Sequence, residues 1–220
     1  RCVGAGTIGI AAIWTLLKML GPIGNGIAGA LAAAKARKGG QGDSLDITER
    51  DMPIGVVGGT ILLAMVPIGL LLAGFAANGP IAAALGPTLG LSILYVLLAG
   101  IVIASVCGYM AGLIGASNSP ISGVGILSSL GISLILVALF GQGGDAATTK
   151  ALVAFALFVT AIIFGVATIS NDNLQDLKTG QLVGATPWRQ QVALVLGVIF
   201  GALVIPPILD LLNTTFGFQG

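Results

Sequence analysis

The chain has 220 residues, 56% of them hydrophobic and only 8% charged, with a formal net charge of +1. Average soluble domains carry about 25% charged residues, so an ordinary soluble globule is excluded, and with no basic tract and few aromatics there is no footprint for nucleic acid. No histidine is present, and the two cysteines, Cys2 and Cys107, both lie in apolar runs; imidazole chemistry is excluded, a disulfide framework is not expected, a transition-metal site has poor ligands, and no cofactor is expected.

The chain opens at Arg1 and enters an apolar run at once, without the short apolar core and cleavage site of a signal peptide. It reads as a piece of a longer protein. Residues 3–34, 54–77, 89–116 and 191–212 reach or exceed the length of a membrane span, and 121–140 and 151–169 are just long enough. A spanning helix needs about 20 apolar residues, because the hydrocarbon core is about 30 Å thick and a helix rises about 1.5 Å per residue. The expected fold is an all-α polytopic membrane protein, a fragment of a larger multi-helix chain. Its helices are expected at about 3–34, 54–77, 89–108, 121–140, 151–169 and 188–212, forming a single transmembrane domain over 1–220.

The first run carries Lys18 and the sequence Gly21-Pro22-Ile23-Gly24-Asn25-Gly26. It is either one long tilted helix or a helix with an unwound middle. Lys18 is the charge set deepest in an apolar run; it either snorkels to the interface or lies on a substrate or ion path. A charged loop follows at 35–52, and Pro53 suits the first turn of the second helix, where its missing N–H costs nothing. Pro67 predicts a kink in that helix. Thr88 is a candidate cap for the third helix.

Residues 109–123 then interrupt what would otherwise be a long apolar stretch, and they predict a broken helix or a re-entrant segment. The polar residues there are Ser117, Asn118, Ser119, Pro120 and Ser122, flanked by Gly115 and Gly123. Irregular backbone at membrane depth must be buried in protein or line a wet cavity. Helix N-termini at such breaks offer free N–H groups to anionic substrate groups, and Pro120 is placed to open a helix capped by Asn118 or Ser119. An ordinary surface loop explains the same residues.

Past the fifth apolar run comes a second polar stretch, 170–190. Asn171, Asp172, Asn173, Gln175, Asp176, Lys178, Thr179 and Gln181 crowd its first half, and Leu174, Leu177 and Lys178 suit a helical turn with an apolar edge. Asp172 and Asp176 lie four apart on one face, an arrangement that fits cation binding or proton carriage and equally fits a short surface helix. For the sixth helix, Thr186 is the expected N-cap, Pro187 the first helical residue and Trp188 an interfacial aromatic. If each run crosses once, the loops at 35–52, 109–120 and 170–190 share a side holding Lys35, Arg37, Lys38, Arg50, Lys178 and Arg189, against Arg1 and Lys150 opposite. The positive-inside rule makes that side cytoplasmic. No phosphate-binding loop, dinucleotide fingerprint, zinc-hydrolase pair or nucleophile elbow is present, so an enzyme is not expected.

Two stretches also carry a resemblance. Residues 169–191, reading Ile-Ser-Asn-Asp-Asn-Leu-Gln-Asp-Leu-Lys-Thr-Gly-Gln-Leu-Val-Gly-Ala-Thr-Pro-Trp-Arg-Gln-Gln, resemble a signature of the oligopeptide transporter (OPT) family. So do Gly108-Tyr109-Met110-Ala111-Gly112-Leu113-Ile114-Gly115 and Ser117-Asn118-Ser119-Pro120-Ile121-Ser122-Gly123, with Gly4-Ala5-Gly6, Trp14 and Leu17-Lys18 at the opening. The resemblance covers the whole chain and points to a bacterial branch near the metal–chelate (yellow-stripe-like) transporters. It implies a proton-coupled secondary importer of short peptides or peptide-like metal chelates in the bacterial inner membrane, embedded in the lipid bilayer beside the remaining helices of a longer chain. It places Asn118, Ser119, Pro120, Ser122 and Gly123 at a substrate cavity, together with Asn171, Asn173 and Gln175. Asp172, Asp176 and Lys18 become the candidates for proton coupling. The competing expectation is a non-transporting membrane scaffold or assembly subunit whose glycine-rich helices serve only as packing surfaces.

Overall fold

A computed structural model describes residues 2–36, 46–77, 79–115, 119–141 and 144–217. Asn118, Arg37 and Lys38 lie outside the described residues. Six helices carry the fold: α1 (Cys2–Ala36), α2 (Ile54–Ala76), α3 (Leu85–Ile114), α4 (Ile121–Phe140), α5 (Ala146–Leu182) and α6 (Pro187–Phe216). Among the described residues, all six contain a stretch long and apolar enough to cross a membrane. The protein is an all-α polytopic membrane protein.

The helices differ from the hydropathy reading mainly at their ends. α1 is continuous, with Pro22 inside it, so the Gly21–Gly26 sequence does not unwind. α3 begins at Leu85, after a 3-10 segment at Pro80–Ala84. Thr88 therefore caps nothing: it lies one turn inside α3, and its hydroxyl donates to the Ala84 carbonyl at 2.7 Å. The largest difference is α5. Its apolar part ends near Ile169, but the helix runs on to Leu182. Most of the stretch expected as a loop at 170–190 is helical, because residues 170–179 contain neither Gly nor Pro to stop it.

The chain falls into two compact units, residues 1–43 with 53–175 and residues 44–52 with 176–220. In the first, small residues let the helices approach. Gly9 of α1 faces Ile126 of α4, and a side chain on Gly123 of α4 would meet Ala12 Cβ at 2.6 Å. Gly69 of α2 receives Ile93 of α3, and Gly125 of α4 receives the Phe164 ring of α5. Gly131 of α4 receives Tyr95 of α3, whose hydroxyl donates to the Ser128 carbonyl at 2.9 Å. In lipid, close packing and interhelical hydrogen bonds hold helices together where the hydrophobic effect does not. The buried centre is built from Leu72, Val96, Ile132, Phe155, Val159 and Ile163, and Phe75 stacks on Phe158 with ring centroids 4.9 Å apart.

In the second unit, the 3-10 turn Ile47–Glu49 and the residues after it meet the start of α6. Thr186 is the N-cap and Pro187 the first helical residue, as the sequence suggests. Trp188 N–H, one of the first-turn donors with no helical partner, donates to the Arg50 carbonyl at 3.3 Å. Gln191 Nε2 donates to Asp51 Oδ1 at 2.8 Å. α5 closes with a Schellman motif: Ala185 N–H reaches the Gly180 carbonyl at 2.8 Å, Gly184 N–H reaches Gln181, and Gly184 takes φ +75°.

Candidate functional site

The break near 109–123 takes the form of a short link between two helices. α3 ends at Ile114, Gly115 turns the chain with φ +88°, and α4 starts at Ile121 with Pro120 as its N-cap. Proline has no side-chain oxygen to offer, and Ser119 does not cap the helix either. Its Oγ instead donates to the Cys107 carbonyl of α3 at 3.3 Å. The backbone closes the start of α4 through Val124 N–H and the Pro120 carbonyl, 2.9 Å apart.

A second polar element meets the same part of α3. Ser170 Oγ of α5 donates to the Ala104 carbonyl at 2.6 Å. Gly108, one turn further along α3, lies so close that a side chain there would meet Ser170 Oγ at 2.7 Å and Leu174 Cγ at 3.0 Å. Residues 104–108 of α3 thus hold the 119–120 link on one side and the first polar turn of α5 on another. Asn171 follows directly and is buried, with 4% of its surface exposed. The two sequence motifs, some fifty residues apart in the chain, converge on one turn and a half of α3.

Membrane geometry fixes the depth of this region. Ala146–Ile169 already spans 24 residues of α5, or roughly 36 Å at 1.5 Å per residue, against a core of about 30 Å. Ser170 and Asn171 therefore sit near one membrane face, where α3 also ends.

The other predicted residues are distributed as follows. Ser119 and Pro120 are half-buried, Ser122 is exposed, and Gly123 is buried against Ala12 of α1. Asn173 is half-buried, while Asp172, Gln175 and Asp176 are exposed. Asp172 belongs with the first unit and Asp176 with the second. Lys18 is exposed on α1, with its Nζ 5.3 Å from the centroid of the Trp14 ring one turn earlier. No group of three or more acidic or cysteine side chains that could hold a metal ion occurs among the described residues.

Hydropathy and polar clustering do not mark Ser170, Gly108 and Ala104 as site residues. A signal existed: Ala104, Gly108 and Gly112 repeat small residues every four positions on an apolar helix, a pattern that marks a close helix crossing. What that pattern does not give is the partner.

A Haemophilus influenzae protein named "Putative oligopeptide transporter" is 44% identical over 233 aligned residues, covering 100% of this chain and 35% of its own length. The chain thus spans about a third of the curated relative it matches. No solved structure matches it. The model of the OPT oligopeptide transporter protein family matches residues 1–220, and the chain belongs to that family.

Proposed function

We propose that this chain contributes to secondary active, proton-coupled uptake of oligopeptides or peptide-like metal chelates across a bacterial inner membrane. The observation that carries the reading is the convergence of Ser119, Ser170 and Leu174 on Ala104–Gly108 of α3. A family of transporters supplies the reaction class, and this convergence supplies a polar region at the end of three packed spans. Asn171 is a buried polar side chain in that region, and polar groups gathered inside a helix bundle near a membrane face suit the mouth of a substrate or ion pathway. In this reading, Asn118, Ser119, Pro120, Ser122 and Gly123 and the amides of Asn171, Asn173 and Gln175 line the pathway. Amide and backbone groups suit peptide bonds, which need both donors and acceptors. Asp172 and Asp176 carry the proton, with Lys18 the third candidate. Alternating access would come from helix groups rocking about the site. The nearness to metal–chelate transporters rests on sequence resemblance alone, so chelates enter as a substrate class to be tested beside peptides.

The exposed positions of Asp172 and Asp176 fit the competing scaffold reading equally well, because a surface helix presents its charges in the same way. Reconstituted native protein under an imposed proton gradient separates the two. Uptake of a mixed di- to hexapeptide pool, with and without ferric chelates, is measured for wild type, Asn118→Ala, Asn171→Ala and Asp172→Asn. The transporter reading expects gradient-dependent uptake, its loss in Asn118→Ala or Asn171→Ala, and uptake uncoupled from the gradient in Asp172→Asn. Correctly folded protein that takes up neither class overturns it in favour of the scaffold.

A further inference from the structure

The α4–α5 hairpin carries an open groove of about 290 Å³, away from the region described above. Leu136, Val137, Leu152 and Ala156 line the part set within the apolar helices, here called the floor, and Gly144 and Thr149 line the part nearest the hairpin turn, here called the mouth. The polarity changes along the groove because the hairpin leaves the apolar spans at residues 141–145. The floor therefore lies in hydrocarbon and the mouth at the interface.

The groups at the mouth point to a headgroup. Seven other threonines in the described helices return their hydroxyl to the carbonyl four residues back. Thr149 lines the groove and makes no side-chain hydrogen bond among the described residues. Lys150, next in the chain, is exposed and has no ion-pair partner among the described residues. On the other side of Thr149, Asp145 is exposed and accepts the Thr148 N–H at 3.2 Å. In the sequence, a carboxylate four residues before Thr149 and an ammonium one residue after it bracket that hydroxyl. A purely anionic headgroup would meet Asp145 unfavourably, and a cationic one would meet Lys150. A headgroup carrying both charges matches both.

We propose that this groove binds a zwitterionic aminophospholipid of the phosphatidylethanolamine type. One acyl chain lies along the floor, the phosphate meets Thr149 and Lys150, and the primary ammonium meets Asp145. Basic positions between membrane helices recognise lipid phosphates in this way.

The test uses native protein extracted in mild detergent and equilibrated with phosphatidylethanolamine, phosphatidylcholine or phosphatidylglycerol of matched chains, with retained lipid counted by native mass spectrometry. Wild type is expected to retain phosphatidylethanolamine best. Lys150→Ala, an exposed change that leaves packing intact, should weaken retention about two- to fivefold, the range for losing one exposed ion pair. Asp145→Asn should shift the preference toward phosphatidylglycerol, and Ala156→Phe should block the floor. Equal retention of the three lipids, or retention indifferent to Lys150→Ala, overturns the proposal. So does a photo-crosslinker at Val153 that captures protein instead of lipid.

Discussion

At Gly108 the absence of a side chain sets the spacing of two helices. Ser170 Oγ and Leu174 Cγ occupy the space a Cβ would need, at 2.7 and 3.0 Å from its position. Serine can rotate, but doing so gives up its bond to the Ala104 carbonyl; the leucine branch has less room. Gly108→Ala is therefore expected to destabilise the packed protein by about 1–3 kcal/mol, the usual range for overpacking, read as a lower unfolding midpoint in detergent. Gly112→Ala serves as the control, since nothing lies within 4 Å of its Cβ position, and its midpoint should hold or rise. Ser170→Ala removes one interhelical hydrogen bond, worth about 0.6–1.7 kcal/mol in membrane proteins. The pair Gly108→Ala and Ser170→Ala should cost less than the sum of the singles, because the first clash disappears with the hydroxyl. Strict additivity would mean that the two residues do not touch in the membrane.

At the scale of the element, α5 explains both what the sequence discloses and what it conceals. Residues 151–169 announce themselves as a span because nothing but a membrane helix hides so many apolar groups. Residues 170–182 do not, because hydropathy reports burial and says little about whether a polar helix continues. Their helical state was legible from a different signal: no breaker before Gly180, then Gly184 and Pro187 as stop and restart. Gly184, at φ +75°, is required by the Schellman end. Gly184→Ala places a Cβ in the left-handed region at about 1–2 kcal/mol, and limited proteolysis should cut faster around residues 183–186. The opposite end of α5 adds a pH dependence. The Thr148 hydroxyl and N–H hold the Asp145 carboxyl below the usual carboxylate range. A depressed value means that the charged cap supports the helix at neutral pH and that this support is lost as pH falls through that lowered value. Amide exchange at Thr148 should accelerate on acidification in wild type. In Asp145→Asn it should be insensitive to pH once the intrinsic exchange rate is divided out.

For the whole molecule, the sequence discloses how many helices there are and almost nothing about which ones meet. Apolar faces turned to lipid and apolar faces turned to a neighbour are written in the same residues, so Leu134 at 69% exposure and Ile132 at 0% look alike in the chain. The small residues that decide contacts are frequent, 35 glycines in 220, and many have open space around them. Convergence of the 119–120 link and Ser170 on α3 is therefore visible only after packing. Orientation in the membrane is a different matter, since charge alone argues it. If each apolar run crosses once, the sequence stretches 35–52, 109–120 and 170–190 fall on one side, and Lys150 and Arg1 on the other. The first side carries six basic residues against those two, so we expect the first to be cytoplasmic. In a background from which all native cysteines, Cys2 and Cys107 included, have been removed, single cysteines replace Asp46, Lys178 or Asp145. A membrane-impermeant maleimide applied to spheroplasts should label the third and reach the first two only after permeabilisation. The reverse pattern would invert the topology and put the polar end of α5 on the side from which an importer receives its substrate.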